Sequence, residues 1–345
     1  MKTVVVCSTG KSAGKTSLVA GMAKASGKAF GYMKPMGDRL MYSKKRLWDH
    51  DCALLTNMFG LSENLEDMTI GFEHSKLMYM YNEETMRERL LQMVNTAQRG
   101  KELVFIEGGR DLAYGTSVFL DSISVARAVG GDLVVVASDE GNASLDAIAF
   151  IQKYVSMTDV SLRGVIVNKV QNLEDYKEMN MPELSRRGIT VLGLVPHNVE
   201  MTYLSVGQVA ERLLTKTIAG EQGLTRKAKN ILVAAMSTNA AIRSPLFQRE
   251  DKLIIVGGDR SDLIVAALQS STAGIVLTNN IVPSPNIVSQ ASERNIPLLL
   301  VPFDTYETAR QLDSIEPLLT ADDRDKLDLC ARLVQEHVDL DRVVG

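Results

Sequence analysis

Cysteine is scarce. Cys7, Cys52 and Cys330 lie far apart and are odd in number, which excludes a disulfide framework and reads as free thiols in a reducing cytoplasm. No Cys/His pairing has the spacing of a zinc site. No apolar run approaches the roughly 20 residues of a membrane-spanning helix. The N-terminus enters a β pattern directly, without the basic region and apolar core of a signal peptide. Aromatics make up 5% of the chain, the net charge is −4 and there is no basic stripe, so neither nucleic acid nor membrane is expected as a partner. Internal repeats and low-complexity tracts are also absent. What is present is a 345-residue chain, 45% hydrophobic and 23% charged, the profile of a globular protein of two or three domains. Its sixteen methionines are read as fillers of core gaps.

The first two hundred residues alternate β runs with helical patterns. Strands are expected at Thr3–Cys7, Phe30–Met33, Leu103–Glu107, Asp132–Ala137, Gly164–Asn168 and Thr190–Val195. Each is apolar on both faces, as a parallel strand between two helix layers is. Helices are expected at Thr16–Ala25, Asp49–Phe59, Glu83–Arg99, Asp121–Ala128, Leu145–Tyr154, Leu173–Arg187 and Ser205–Leu214, with Asp121 as an N-cap. The alternation implies an α/β doubly wound parallel sheet, with ligands at the carboxyl ends of the strands. The pattern lapses over the polar stretch Thr215–Lys229, which places a boundary between domains 1–218 and 219–345. A smaller α/β unit follows. Its strands are expected at Ile231–Ala235, Lys252–Val256, Ala273–Leu277 and Pro297–Val301. Its helices are expected at Ala240–Phe247, Ser261–Gln269, Ile287–Glu293, Tyr306–Ile315 and Ala321–His337.

The chemistry begins at Ser8-Thr9-Gly10-Lys11-Ser12-Ala13-Gly14-Lys15-Thr16-Ser17, between an apolar strand and a helix. Strand, small-residue loop, Lys-Thr and helix make a phosphate-binding loop, with Thr9 where a first glycine is usual. Amides of such a loop converge on phosphate oxygens, and the helix directs its positive end at the same anion. Lys15 supplies charge at the β and γ phosphates, and Thr16 supplies a hydroxyl to Mg²⁺. Lys34-Pro35 follows the second strand, where a lysine can hold a carboxylate or the γ-phosphate through positioning and charge; a plain surface lysine is the alternative. Asp49-His50-Asp51 opens a helix; capping accounts for one acid, and Asp51 is left as a metal ligand. Glu107-Gly108-Gly109 ends a buried strand, where a Walker B acid stands. Asn168 ends another strand with an amide suited to a nucleobase edge; a turn-forming role is the alternative. Pro196, closing the last strand, could wall the base pocket. In the second unit Gly257, Gly258, Asp259 and Arg260 form a strand-to-helix turn, either an anion-binding nest or a local turn only.

In order, the segments STGKSAGKT, YMKP, DHDCALL, FIEGG, VIVNK and LGLVPH resemble the dethiobiotin synthetase-like branch of P-loop proteins. That branch includes the N-terminal domain of long phosphotransacetylases and the synthetase portions of cobyrinic acid amidases. The VGGDRSDL segment resembles the DRTGG domain that follows the P-loop domain in long phosphotransacetylases. The resemblance implies ATP and Mg²⁺ as cofactors, a metal site of Thr16, Asp51 and Glu107, and Asn168 on the base. It implies that Lys34 holds the carboxylate or carbamate being phosphorylated, and that the protein is a homo-oligomer. Where dethiobiotin synthetases have small residues after Lys-Pro, this chain has Gly37-Asp38-Arg39. A charged Asp38 would repel a carbamate unless Arg39 neutralises it.

Two functions are expected from these features. The first is a regulatory or scaffolding protein whose ATP occupancy alters the relation of its two domains or its grip on a metabolic enzyme. The alternative is an ATP-dependent ligase or kinase that activates a small carboxylate. With the chain ending at Gly345, acetyl transfer by this chain alone is not expected.

Overall fold

The computed structural model describes residues 1–43, 46–234 and 236–345. They form two compact units, 1–198 with 319–345, and 199–318.

Unit 1 begins β1 (Lys2–Ser8), α1 (Lys15–Ser26), β2 (Phe30–Met33), β3 (Leu40–Ser43), β4 (Arg46–Asp49), α2 (His50–Phe59), α3 (His74–Met80) and α4 (Glu83–Ala97). It continues β5 (Leu103–Glu107), α5 (Ser122–Val129), β6 (Asp132–Ser138), α6 (Asn142–Val155), β7 (Leu162–Val170), α7 (Leu173–Met179), α8 (Met181–Arg186) and β8 (Val191–Pro196). Six strands form one parallel sheet in the order β2-β5-β1-β6-β7-β8. Val4 to Cys7, Leu103 to Ile106 and Leu133 to Ala137 are buried without interruption, because helices cover both faces of the sheet. From β1 the order runs to β5 on one side and β6 on the other, a switch point that leaves a crevice at the carboxyl ends. The register sets Glu107 opposite Val6, at the strand ends from which the phosphate loop departs.

Local signals fix the helix ends. Asp121 accepts from the amides of Ile123 and Ser124, as its expected N-cap role requires. Asp49 caps α2 in the same way, through Asp51 and Cys52. The single helix expected over 173–187 is two, α7 and α8, joined at Asn180 with Pro182 in the first turn of α8. Proline fits a helix start, where its missing N–H would be unpaired anyway. The hairpin β3–β4 and the helix α3 were not expected from the sequence.

Unit 2 contains β9 (Leu204–Ser205), α9 (Val206–Arg212), β10 (Lys216–Ala219), β11 (Lys227–Ala228), β12 (Asn230–Val233), α10 (Thr238–Arg243) and β13 (Lys252–Gly257). It closes with α11 (Ser261–Leu268), β14 (Thr272–Thr278), α12 (Pro285–Glu293), β15 (Leu298–Leu300) and α13 (Thr305–Asp313). Its five-stranded sheet has the order β10-β15-β14-β13-β12, with β10 antiparallel at the edge. Ala235, expected to end a strand, lies outside the described residues. The polar stretch read as a boundary carries β10 and β11 of this unit: an edge strand tolerates Lys216 and Thr217 because one side lies open.

The division expected at 218/219 differs from these units in the last residues as well. Helices α14 (Arg324–His337) and α15 (Leu340–Val344) belong to unit 1. Val338 bridges Gly193, and the Asp339 amide donates to Leu192 O at 2.7 Å. α14 packs on α1 so closely that a Cβ at Gly21 would sit 2.9 Å from Cys330 O and 3.0 Å from Val334 Cγ2. Gly21→Val overpacks this seam and should cost about 1–3 kcal/mol, read as a lower urea midpoint for unit 1. An unchanged midpoint contradicts the packing described.

Candidate functional site

The phosphate loop leaves β1 at Ser8 and enters α1 at Lys15. Its backbone is held on the sheet by Thr9 N donating to Val136 O at 3.0 Å. Ser12 (φ 63°) and Gly14 (φ 91°) are left-handed, a sequence of turns that directs successive amides into one concavity. Gly14 has a second reason to be glycine: a Cβ there would lie 2.3 Å from Asn168 Nδ2. A Cβ at Gly10 would meet nothing within 4 Å.

Lys15 is 8% exposed and its ammonium donates to Ser8 Oγ at 2.8 Å. Burial pulls its pKa below the ordinary lysine value; Glu107 opposes this and Lys34 adds to it. Thr16 Oγ1 donates to Glu107 Oε1 at 2.8 Å, and Tyr32 OH to Oε2 at 2.9 Å. Glu107 is 1% exposed. Burial pushes its carboxyl up to about 7 against the pull of Lys34; Asp51 pushes further up, while Lys15 and the Thr16 hydroxyl oppose. The residues fit a nucleotide with its metal: a buried ammonium facing a neutral hydroxyl favours an incoming anion, and a buried carboxylate beside a threonine hydroxyl suits a divalent cation.

Lys34, 2% exposed, stands one residue beyond β2. Its ammonium donates to Asp38 Oδ1 and Asp51 Oδ2, both at 2.5 Å, with Asp49 Oδ2 at 3.9 Å. Burial acts to lower its pKa, but Asp51, Glu107, Asp49 and Asp38 together hold it well above the usual value. Asp51 is also buried, which would raise its pKa; the hydrogen bond from His50 and the charges of Lys34 and Arg39 hold it well below the usual carboxylate range. His50 Nδ1 lies 3.3 Å and Arg39 3.7 Å from Asp51 Oδ1. Both oxygens of the expected metal ligand Asp51 are therefore engaged by its own chain. Among the described residues no group of three or more His, Cys, Asp or Glu could hold a metal.

The family resemblance implied Asn168 on a nucleobase, with a turn-forming role as the alternative. Here its Nδ2 donates to Ala13 O at 2.9 Å, and Lys169 Nζ donates to Ser12 O at 2.7 Å. Both residues brace the phosphate loop from β7. Ser8, Tyr32, Asp38 and Lys169 were not singled out as site residues. For Tyr32 the signal was a phenol inside a strand buried at every position, since a buried hydroxyl needs a partner. Pro196 ends β8.

In unit 2, Gly257-Gly258-Asp259-Arg260 leads from β13 into α11. A Cβ at Gly258 would lie 1.7 Å from Ile281 O, so close backbone packing requires this glycine. The Arg260 and Ser261 amides donate to Gly257 O and Asp259 O within the turn. The Arg260 guanidinium donates to Met236 O at 3.0 Å. These contacts supply a packing reason for Gly258 and Arg260.

Residues 2–203 match the family model of an AAA domain, and residues 208–315 that of a DRTGG domain. The chain is 23% identical over 362 aligned residues to the phosphate acetyltransferase of Nitrosomonas europaea, covering 98% of this chain and 50% of that enzyme. It is 24% identical over 275 residues to the phosphate acetyltransferase of Pseudomonas putida, covering 74% and 39%. The chain thus spans about half or less of the length of these curated relatives. A solved ParA family ATPase from Chlorobium tepidum is 12% identical, with a TM-score of 0.38 over 58% of this chain and 86% of that one.

Removing one member of a buried ion cluster leaves the others uncompensated, at a cost of about 3–5 kcal/mol. Lys34→Met should lower the urea midpoint of unit 1 accordingly, by abandoning Asp38, Asp49 and Asp51. A midpoint equal to wild type contradicts the cluster.

Proposed function

The chain belongs to the AAA domain family through residues 2–203, and we propose that this P-loop NTPase domain binds ATP with Mg²⁺ in a regulatory or scaffolding role, alongside the DRTGG domain that follows. The observation that carries the reading is the Lys15 ammonium. It is buried beside a left-handed loop at the positive end of a twelve-residue helix, and it meets a hydroxyl rather than a carboxylate. A phosphate oxygen supplies the charge that this ammonium lacks. The amides of residues 10–14 and Thr16 complete the cradle.

Thr16 and Glu107 are the residues that would hold Mg²⁺, which when bound offsets phosphate charge. The oxygens of Glu107 accept only from the neutral hydroxyls of Thr16 and Tyr32, whereas those of Asp51 are held by the charged Lys34 and Arg39 and by His50, so Asp51 adds negative charge to the surroundings. Asn168 and Lys169 act on the nucleotide through the loop they brace. The regulatory role is favoured by the pairing of the matched P-loop and DRTGG domains in one chain.

The second reading, an ATP-dependent ligase or kinase for a small carboxylate, is favoured by a lysine buried at the end of β2. It requires the Lys34 ammonium to be open to that carboxylate, and Asp38 and Asp51 hold it. ADP formation stimulated by a small carboxylate would favour this reading over regulation.

Isothermal titration with Mg-ATP should show binding by the wild type. Lys15→Ala should weaken it by roughly 10- to 100-fold, the loss of charged hydrogen bonds worth about 1.5–3 kcal/mol. A wild-type chain without affinity at millimolar Mg-ATP contradicts the reading.

A further inference from the structure

A buried ammonium at a strand end, beside a phosphate loop, is a natural seat for the carboxylate of a second ligand. In this protein a carboxylate already sits there. An ammonium has three protons to donate, and Lys34 directs bonds to Asp38 and Asp51 at 2.5 Å each.

The three acids around Lys34 differ in what else they hold. Asp49 caps α2 and accepts the amides of Asp51 and Cys52 through one oxygen and that of Asp38 through the other. Asp51 is enclosed and shared with Arg39 and His50. The carboxylate of Asp38 is held by Lys34 alone among the described residues, and its side chain, 11% exposed, lies at the rim. Its backbone is fixed independently of that bond. Met36 bridges Gly71, and Gly37 N donates to Gly71 O at 3.0 Å. A Cβ at Gly37 would lie 2.3 Å from the Phe72 ring. The segment is thus pinned before Asp38 turns inward.

We propose that Asp38 is an internal ligand of Lys34 that fills the anion position beside the phosphate loop and excludes free small carboxylates from it. The proposal rests on the nucleotide-site reading only in taking this position as the neighbour of the bound phosphates. Formal charges support it: Asp38, Asp49, Asp51 and Glu107 against Lys15, Lys34 and Arg39 leave one net negative charge, so another buried carboxylate meets repulsion. Without Asp38 the same group is neutral, and Lys34 has its rim-side bond to offer. Asp49 and Asp51 still compensate Lys34, so the fold survives the change. Asp38 is then the specificity-determining residue of this side of the site, and activation of a carboxylate requires its displacement.

Formate and acetate, with chloride at equal ionic strength as control, are titrated calorimetrically into the full-length wild type, Asp38→Ala and Asp38→Asn. Asp38→Ala should bind the carboxylates roughly tenfold or more tightly than wild type, as one charged hydrogen bond implies, and gain thermal midpoint that chloride does not reproduce. Asp38→Asn, whose amide still fills the space, should resemble wild type. Wild type binding either acid as well as Asp38→Ala, or a folded Asp38→Ala gaining nothing, overturns the proposal. An Asp38→Ala chain that folds only with formate or acetate supports it; one that folds with neither overturns it. Mg-ATP titrated into the same proteins separates the two readings. No nucleotide binding by wild type, together with carboxylate gain in Asp38→Ala, removes the nucleotide reading and leaves Asp38 as described.

Discussion

A buried cation without a counter-charge is costly, and unit 1 contains two lysines that meet this constraint in opposite ways. Lys15 is enclosed at the end of β1 with a serine hydroxyl as its acceptor. Lys34 is enclosed at the end of β2 with two aspartates in direct contact and a third nearby. Glu107, between their influences, is opposed in its upward shift by both. The first lysine makes no ion pair among the described residues; the second is matched by the chain itself. The remaining geometry of the site serves that contrast. The parallel sheet brings the ends of β1, β2 and β5 to one edge, Gly14 admits the Asn168 brace, and the Asp49 cap fixes the start of α2 beside Lys34.

This contrast bears on which function the site can serve. A loop that gathers amides around an ammonium without a carboxylate partner has the chemistry to bind phosphate. Chemistry on a second substrate needs a further open group, and the group at the expected place is closed by Asp38. The proposed switch or scaffold role needs nucleotide binding alone, whereas the ligase reading needs a second substrate as well. The matched DRTGG domain of residues 208–315 adds a second α/β unit whose signature turn is held by backbone packing against Ile281.

Much of the fold could be read directly from the residues. Strands apolar on both faces, such as Val4–Cys7 and Leu103–Ile106, declare a sheet covered on both sides. The loop before Lys15-Thr16 declares its own place at a strand end. Other features were hidden for physical reasons. The amphipathic pattern of α14 shows that one face is buried, but not that Gly21 of α1 is what lies against it. Polar residues at 215–229 read as a linker because an open edge strand needs no apolar run. Asn168 was legible as a functional amide, yet its partner, the Ala13 carbonyl, is set by packing between β7 and the loop. The fate of Lys34 depended on Asp38, four residues on in an irregular segment whose course is fixed by Gly37 against Phe72. No periodic signal reports such a contact.

The most direct test of the central claim is backbone hydrogen exchange of the full chain with and without Mg-ATP. Amides bound to phosphate exchange slowly, so nucleotide should protect residues 10–17, with smaller changes at 107–109. Exchange at residues 10–17 unaltered by saturating nucleotide would contradict the account.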